Sequence, residues 1–309
     1  MAICHSSTGA KAASSLQIVV VLVLSVMISA CGVRSRTVRV ATFSTLTTQQ
    51  DAPNPALLEQ HCPFGAPETL PSLQHGPTRV ITHAGYALEH DSSSKIALWV
   101  CESLDPAFFE ENATRRDPFA PEPTLAGKPR AELDDYKGSG LDRGHMTASA
   151  DRLSTQALND ETFFLSNMVP QNGSLNSGWW SRLEAQVRNW VLDNVVHDAN
   201  AITGGFFYDP AEEDPATADG LIEFEQIGDG AVAVPTHVYK VVVGRNASNE
   251  LQAIAFVMPN ERPQPGTALT VGIKAIDWLE ERAGLNFMPD LDPADEARLE
   301  ADPSPMWGQ

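Results

Sequence analysis

The chain has 309 residues, 42% of them hydrophobic and 20% charged, with 21 Gly and 22 Pro. That composition excludes collagen-like, disulfide-dense and wholly disordered classes, and the length suits one large or two small domains. Lys plus Arg number 21 against 40 Asp plus Glu, a net charge of −19, so no broad basic surface can be built and a polyanionic partner must be held by a local device.

In chain order, Lys11 precedes the one apolar run, Ile18 to Ile28, which is too short to span a bilayer. The run ends in Ile28-Ser29-Ala30-Cys31-Gly32. A basic flank, an apolar stretch and small residues before a cut read as a secretory signal over 1–30. The order Ile-Ser-Ala-Cys resembles a bacterial lipobox, in which Cys31 carries lipid and becomes the mature N-terminus. The alternative is an ordinary signal peptide cut nearby. The expectation is an exported, membrane-anchored lipoprotein facing the periplasm or the cell exterior. Export leaves Cys62 and Cys101 in an oxidising compartment, where a disulfide between them is allowed but not required.

Residues 31–75 are rich in Thr, Gln, Pro and Ser and read as a tether and loose lead-in. A main domain is expected over 76–288. It opens with strands at Arg79–Thr82, Tyr86–His90 and Ile96–Cys101, the last two joined by the turn-like Asp91-Ser92-Ser93-Ser94. Pro118 to Pro129 must be a loop. Trp180, Leu183, Val187, Trp190, Val191 and Val195 follow the spacing of one apolar helical stripe. Thr203-Gly204-Gly205 begins a further strand. Asp209 to Asp229 holds eight acidic residues and no basic ones, a solvated excursion. Val232–Gly244 and Leu251–Met258 are β-rich, Val271–Ala283 reads as a helix, and the acidic tail 289–309 as poorly ordered. Strands and helices mix without regular alternation, so the class is α+β.

The densest set of candidate site residues is Asp142-Arg143-Gly144-His145, then Ser166-Asn167, then Asn176, Glu184 and Arg188 on or near the long helix. A neutral imidazole such as His145 can take a proton from water near physiological pH. A hard cation such as Mg2+ wants oxygen ligands, and the amide oxygen of Asn176 supplies one without cancelling the ion's charge. Arg143 and Arg188 can fork onto phosphate oxygens. These are the parts needed to hydrolyse a phosphodiester. Each also has a bland reading. His145 could be structural, Asn176 a helix N-cap, and Glu184 with Arg188 a weak i,i+4 surface pair.

Order and spacing decide between them. Leu141-Asp142-Arg143-Gly144-His145-Met146, Phe164 to Gln171, Leu175-Asn176, Trp180, Leu183-Glu184 and Arg188 closely resemble the DNA/RNA non-specific endonuclease family. Asp135 to Gly140, Val234 to Val241 and Val257 to Asn260 look like further family segments, and the likeness runs from about 78 to 282. The resemblance implies a ββα-metal fold with a central, mainly antiparallel sheet flanked by helices, and cleavage of DNA and RNA to 5′-phosphate ends. It implies His145 as general base, Asn176 as the direct protein ligand of Mg2+ (or Mn2+ or Ca2+), and Glu184 holding metal-bound water. Arg143 and Arg188 match phosphate contacts, Asn167 a polar residue lining the site, and Asp142 a support for its loop. Arg115 or Arg116 corresponds to a further clamp, while His83 and His237 read as structural. Where some members carry an Asn four residues before Asn167, this chain has Phe163. A homodimer is compatible with the family. The rivals are a non-catalytic surface lipoprotein that keeps the fold to bind nucleic acid or protein, and a phosphodiesterase for small or lipid-like diesters.

Overall fold

The computed structural model describes residues 52–213 and 218–308; the signal, Cys31 and the first part of the tether lie outside the described residues. The described chain opens with α1 (Pro55–His61), started by Asn54, whose side-chain oxygen accepts from Ala56 N. After β1 (Glu68–Thr69) come β2 (Thr78–Thr82), β3 (Ala87–Asp91) and β4 (Ala97–Leu104), the antiparallel meander that the sequence pattern predicts. A short helix α2 (Leu133–Tyr136) leads to β5 (Asp142–His145), α3 (Gln156–Glu161) and β6 (Met168–Gln171). A π-helical turn, Leu175–Trp180, runs directly into α4 (Ser181–Leu192). Then follow β7 (His197–Phe206), β8 (Gln226–Ile227), β9 (Val232–Ala233), β10 (His237–Arg245) and β11 (Leu251–Pro259). The chain closes with β12 (Ile273–Lys274), α5 (Ile276–Ala283), β13 (Leu285–Asn286) and α6 (Pro293–Glu300).

Seven strands form one sheet in the order β12-β11-β10-β7-β4-β3-β2, and each neighbouring pair is antiparallel. Successive side chains of a strand point to opposite faces. In β10, Val238 and Val242 enter a core shared with Trp180, Leu183, Val187 and Trp190 of the π turn and α4. Tyr239, Val241 and Val243 enter a second core with Ile276, Leu279 and Ala283 of α5 and Leu299 of α6. Helices therefore cover both faces, which is why the central strands read as unbroken apolar runs rather than alternating ones. The fold is α+β, as expected. Among the described residues no helix is long and apolar enough to cross a membrane.

Several boundaries differ for physical reasons. The run Val232–Gly244 is broken at Pro235, which has no N–H for a ladder; β9 pairs with β8 in a separate ribbon before β10 begins. The expected helix from Val271 begins only at Ile276, because Ile273 and Lys274 pair with Phe256 and Ala255 on the sheet edge. β7 starts at His197, its polar first residues having masked it. The lead-in is structured: α1 buries His61, and β1 pairs with β13. The tail is ordered as well. Asp292 caps α6, and the Trp307 ring lies 5.0 Å from that of Trp190, whose Nε1 donates to Trp307 O at 3.1 Å. Cys62 and Cys101 are both buried free thiols, and burial, with the Cys101 S–H bonded to Cys62, pushes the Cys101 thiol up.

Candidate active site

β5 and β6 form a hairpin of their own in which Asp142 faces Gln171, Gly144 faces Val169 and His145 faces Met168. Position 144 must be glycine: a Cβ there would stand 2.0 Å from Gln171 Oε1, whose side chain crosses over the strand. Beyond Gln171, Asn260 ties the hairpin to the sheet. Its Oδ1 accepts from Asn172 N at 2.9 Å, and its Nδ2 reaches Pro170 O and Pro235 O, both at 2.9 Å. The π turn follows at once, so two strands and a helix make one local unit.

Asn176 sits inside this π turn. It is not an N-cap: the cap position is Ser174, and no side chain caps there. Its Nδ2 instead donates to Asp142 Oδ2 at 3.0 Å, which fixes the amide's orientation and leaves Oδ1 as the free acceptor. Asp142 thus supports the site, as expected. Single π turns inside helices frequently mark functional positions, because they push one side chain out of the regular stripe.

His145 stands against an aromatic wall. The Phe163 ring meets it edge-on at 4.9 Å and Phe119 lies at 6.0 Å. Nε2 is buried with no hydrogen-bond partner among the described residues. Burial, helped by the charge of Arg115 and opposed by Asp117, lowers the imidazole to about 3, so the ring is neutral at physiological pH. The Phe at position 163 is therefore part of the burial that lowers the imidazole.

The arginines separate by their contacts. Arg143 lies over Phe119 and Tyr136, at 4.8 and 5.5 Å from the ring centroids. Arg115 lies 5.3 Å over Phe163 and faces His145 electrostatically, whereas Arg116 pairs with Asp160 away from it. Arg188 does not form a lone surface pair with Glu184; its Nη1 donates to Asp151 at 2.7 Å. Glu184 is pushed up to about 8, mainly by burial, with Lys240 and Arg188 lowering it and Asp151 and Glu102 raising it. Lys240 links the two ends of the site, with Nζ 3.4 Å from Met146 O, next to His145, and 2.6 Å from Thr203 Oγ1.

Asn167 is placed differently from its expected role. It is fully buried; Oδ1 accepts from Thr147 N at 2.9 Å, and Nδ2 donates to Thr147 O and Thr162 O at 2.9 and 2.8 Å. No polar atom is left for a substrate, so it clamps the turn after His145 instead of lining the cleft. His83 bonds Glu122 at 3.0 Å and His237 packs against Phe206 and Tyr208, structural positions as expected.

Beneath the site lies a buried network that the motif reading missed: Glu102, with Arg152 at 3.3 Å and Lys240 at 3.5 Å. Its signal was present, since a single charge within an apolar strand must be paired once buried. The donor set of Asn176 amide oxygen and Glu184 carboxylate fits a hard divalent cation. An ion there would also relieve the charge burial that raises Glu184.

The model of the family described as DNA/RNA non-specific endonuclease matches residues 70–294. The human mitochondrial endonuclease G is 32% identical over 217 residues, covering 70% of this chain and 71% of that protein. The human mitochondrial nuclease EXOG is 34% identical over 250 residues (79% and 63%), and a nuclease of Syncephalastrum racemosum 35% over 223 (69% and 68%). A crystal structure of the EndoG/EndoGI complex, on the mechanism of EndoG inhibition, contains a chain similar to this one. The TM-score is 0.65 at 31% identity, covering 76% of this chain and 92% of that one.

Proposed function

This chain belongs to the DNA/RNA non-specific endonuclease family, and from that premise we propose that it hydrolyses phosphodiester bonds of DNA and RNA with little sequence preference. The observation that carries the reading is the hairpin–helix unit: Asn176, bonded back to Asp142, presents an amide oxygen beside the strand that ends in a neutral, wall-packed His145. His145 takes the proton of the attacking water. Arg143 and Arg115 carry positive charge along the aromatic wall beside it, where a phosphate would lie. Lys240 and Arg188 oppose the burial that raises Glu184, and a bound cation beside it would complete the shift to the carboxylate that orients water. A divalent cation such as Mg2+ would be held by the Asn176 amide oxygen, with Glu184 the carboxylate nearest to its waters in role, and would supply Lewis-acid stabilisation of the phosphate and the leaving oxygen. These groups address phosphate rather than base or 2′-hydroxyl, so DNA and RNA are both substrates. The net charge of −19 does not forbid this, since charges beyond about 8 Å are largely screened at physiological salt.

The test is plasmid DNA and RNA incubated with the protein in Mg2+ and in chelator. Cleavage should require the cation and leave 5′-phosphates. Asn176→Ala, which removes the direct ligand, should raise the Mg2+ concentration for half-maximal rate by at least the roughly 10–100-fold that loss of an outer-shell partner costs. An unchanged Mg2+ dependence, with only a small loss of stability, would reduce Asn176 to a packing residue and sink the assignment. Intact nucleic acid that nonetheless binds would favour the non-catalytic module.

For the leader, we propose export and a membrane tether through lipid on Cys31, supported by the Ile28-Ser29-Ala30-Cys31 order. Cys31→Ala should move the protein from the membrane pellet to the soluble fraction of its host cell. An unchanged partition refutes the tether.

A further inference from the structure

We propose a second cation site, for Ca2+, between α5 and α6, formed by the carboxylates of Asp277, Glu280 and Glu300. Asp277 and Glu280 are three apart on α5 and so share a face. Glu300 ends α6, and one oxygen of each of the three carboxylates lies within 4.8 Å of the others. Three oxygens gathered this closely can converge on one cation, and a carboxylate-only set without fixed octahedral geometry suits Ca2+, with ligands at about 2.3–2.6 Å, better than Mg2+.

A second observation points to a ligand. Glu300 is only 2% exposed, and its Oε1 is buried with no hydrogen-bond partner among the described residues. A buried carboxylate in that state is costly unless something pairs with it. The cationic side chains of α5 and α6 themselves are engaged elsewhere. Arg298 of α6 bonds Leu251 O at 3.0 Å and Asp295 at 2.5 Å, and Arg282 of α5 bonds Glu213 and Trp278 O. Burial first, and then the acidic neighbours Glu280, Glu296 and Asp277, raise Glu300 to about 8. Glu280 is raised to about 7, by burial first; its Oε1 accepts from Phe287 N at 2.7 Å. Ca2+ accepts irregular, carboxylate-rich oxygen shells and would convert this repulsion into attraction. The site belongs to the core on the sheet face opposite α4, so it is separate from the His145 cleft. Its effect would be to pin α6, and with it the ordered tail, onto α5.

Hydrogen exchange followed by mass spectrometry reads the site locally. Ca2+ at about a hundred times its dissociation constant should slow exchange in segment 276–300 by up to about a hundredfold. The same concentration of Mg2+ should slow it far less. Asp277→Asn, an exposed change that folding tolerates, and Glu300→Gln should each abolish the Ca2+ response of this segment without altering DNA cleavage in Mg2+. No slowing by Ca2+, equal slowing by Mg2+, or slowing that survives both substitutions would overturn the proposal. None of these outcomes bears on the catalytic reading, whose measure is cleavage.

Discussion

His145→Asn should lower kcat for plasmid cleavage by on the order of 10²–10⁴-fold, the range lost when a positioned general base is removed. Asparagine keeps a planar polar group of similar reach, so the aromatic wall of Phe163 and Phe119 retains most of its packing and the far-ultraviolet spectrum should not change. Burial, then Arg115, lowers the imidazole to about 3. The acid limb of the pH–rate profile should therefore fall well below the ordinary histidine value of about 6.5. Stability follows the same shift. The folded form binds its proton later than the unfolded chain, so His145 contributes fully above about pH 6.5. That contribution is lost as pH falls towards 3, by about 1.4 kcal/mol per pH unit. His61 and His90, both lowered to about 4 chiefly by burial, act in the same direction. Acid unfolding should thus begin below about pH 6.5, and His145→Asn should shift its midpoint downward while abolishing turnover. A rate loss under tenfold would remove His145 from the chemistry.

The ββα unit was legible in sequence spacing because it is local. His145, Asn176 and Glu184 lie within one hairpin and the helix after it, and the likeness of that ordered run to the family is what suggests a shared task. What spacing could not convey is the direction of a side chain. Asn167 and Asn176 are both asparagines near the cleft, yet one spends its whole amide on Thr147 and Thr162 and the other keeps an oxygen free. Arg115 and Arg116 are adjacent, and only the fold decides which faces His145. The tail misled for a different reason. Its acidic, proline-containing composition resembles linker, but Trp307 and Leu299 are apolar anchors whose partners, Trp190 and the core around α5, lie far away in sequence. The buried network beneath the site likewise joins β4, β10 and the loop after β5.

Arg152→Met tests that network and should be the most destabilising single change, at about 3–5 kcal/mol. The guanidinium is fully buried. Nε donates to Gly85 O at 2.6 Å, Nη1 to Asp151 O at 2.6 Å and Nη2 to Ser103 O at 3.0 Å, while Nη2 also lies 3.3 Å from Glu102. Methionine fills the volume over Phe108 but strands three carbonyls and leaves Glu102 with Lys240 alone. Such a loss is a large part of the roughly 5–15 kcal/mol that holds a domain together. Cleavage should fall as well, because Asp151, the neighbour held by Arg152, is what positions Arg188. Burial already raises Glu102 to about 7, and Arg152 is the first group opposing that rise after the repulsion of Asp151. Without Arg152 the carboxyl should take up its proton at higher pH. The penalty measured by urea unfolding should then be larger at pH 8 than at pH 6, and Glu102→Gln in the same chain should recover part of it. Equal penalties at both pH values, with no recovery from Glu102→Gln, would show that the carbonyl bonds rather than the buried charge carry the cost. Arg152 would then be a backbone clamp, and the electrostatic link from β4 through Lys240 to Glu184 would be broken as an explanation of the site's tuning.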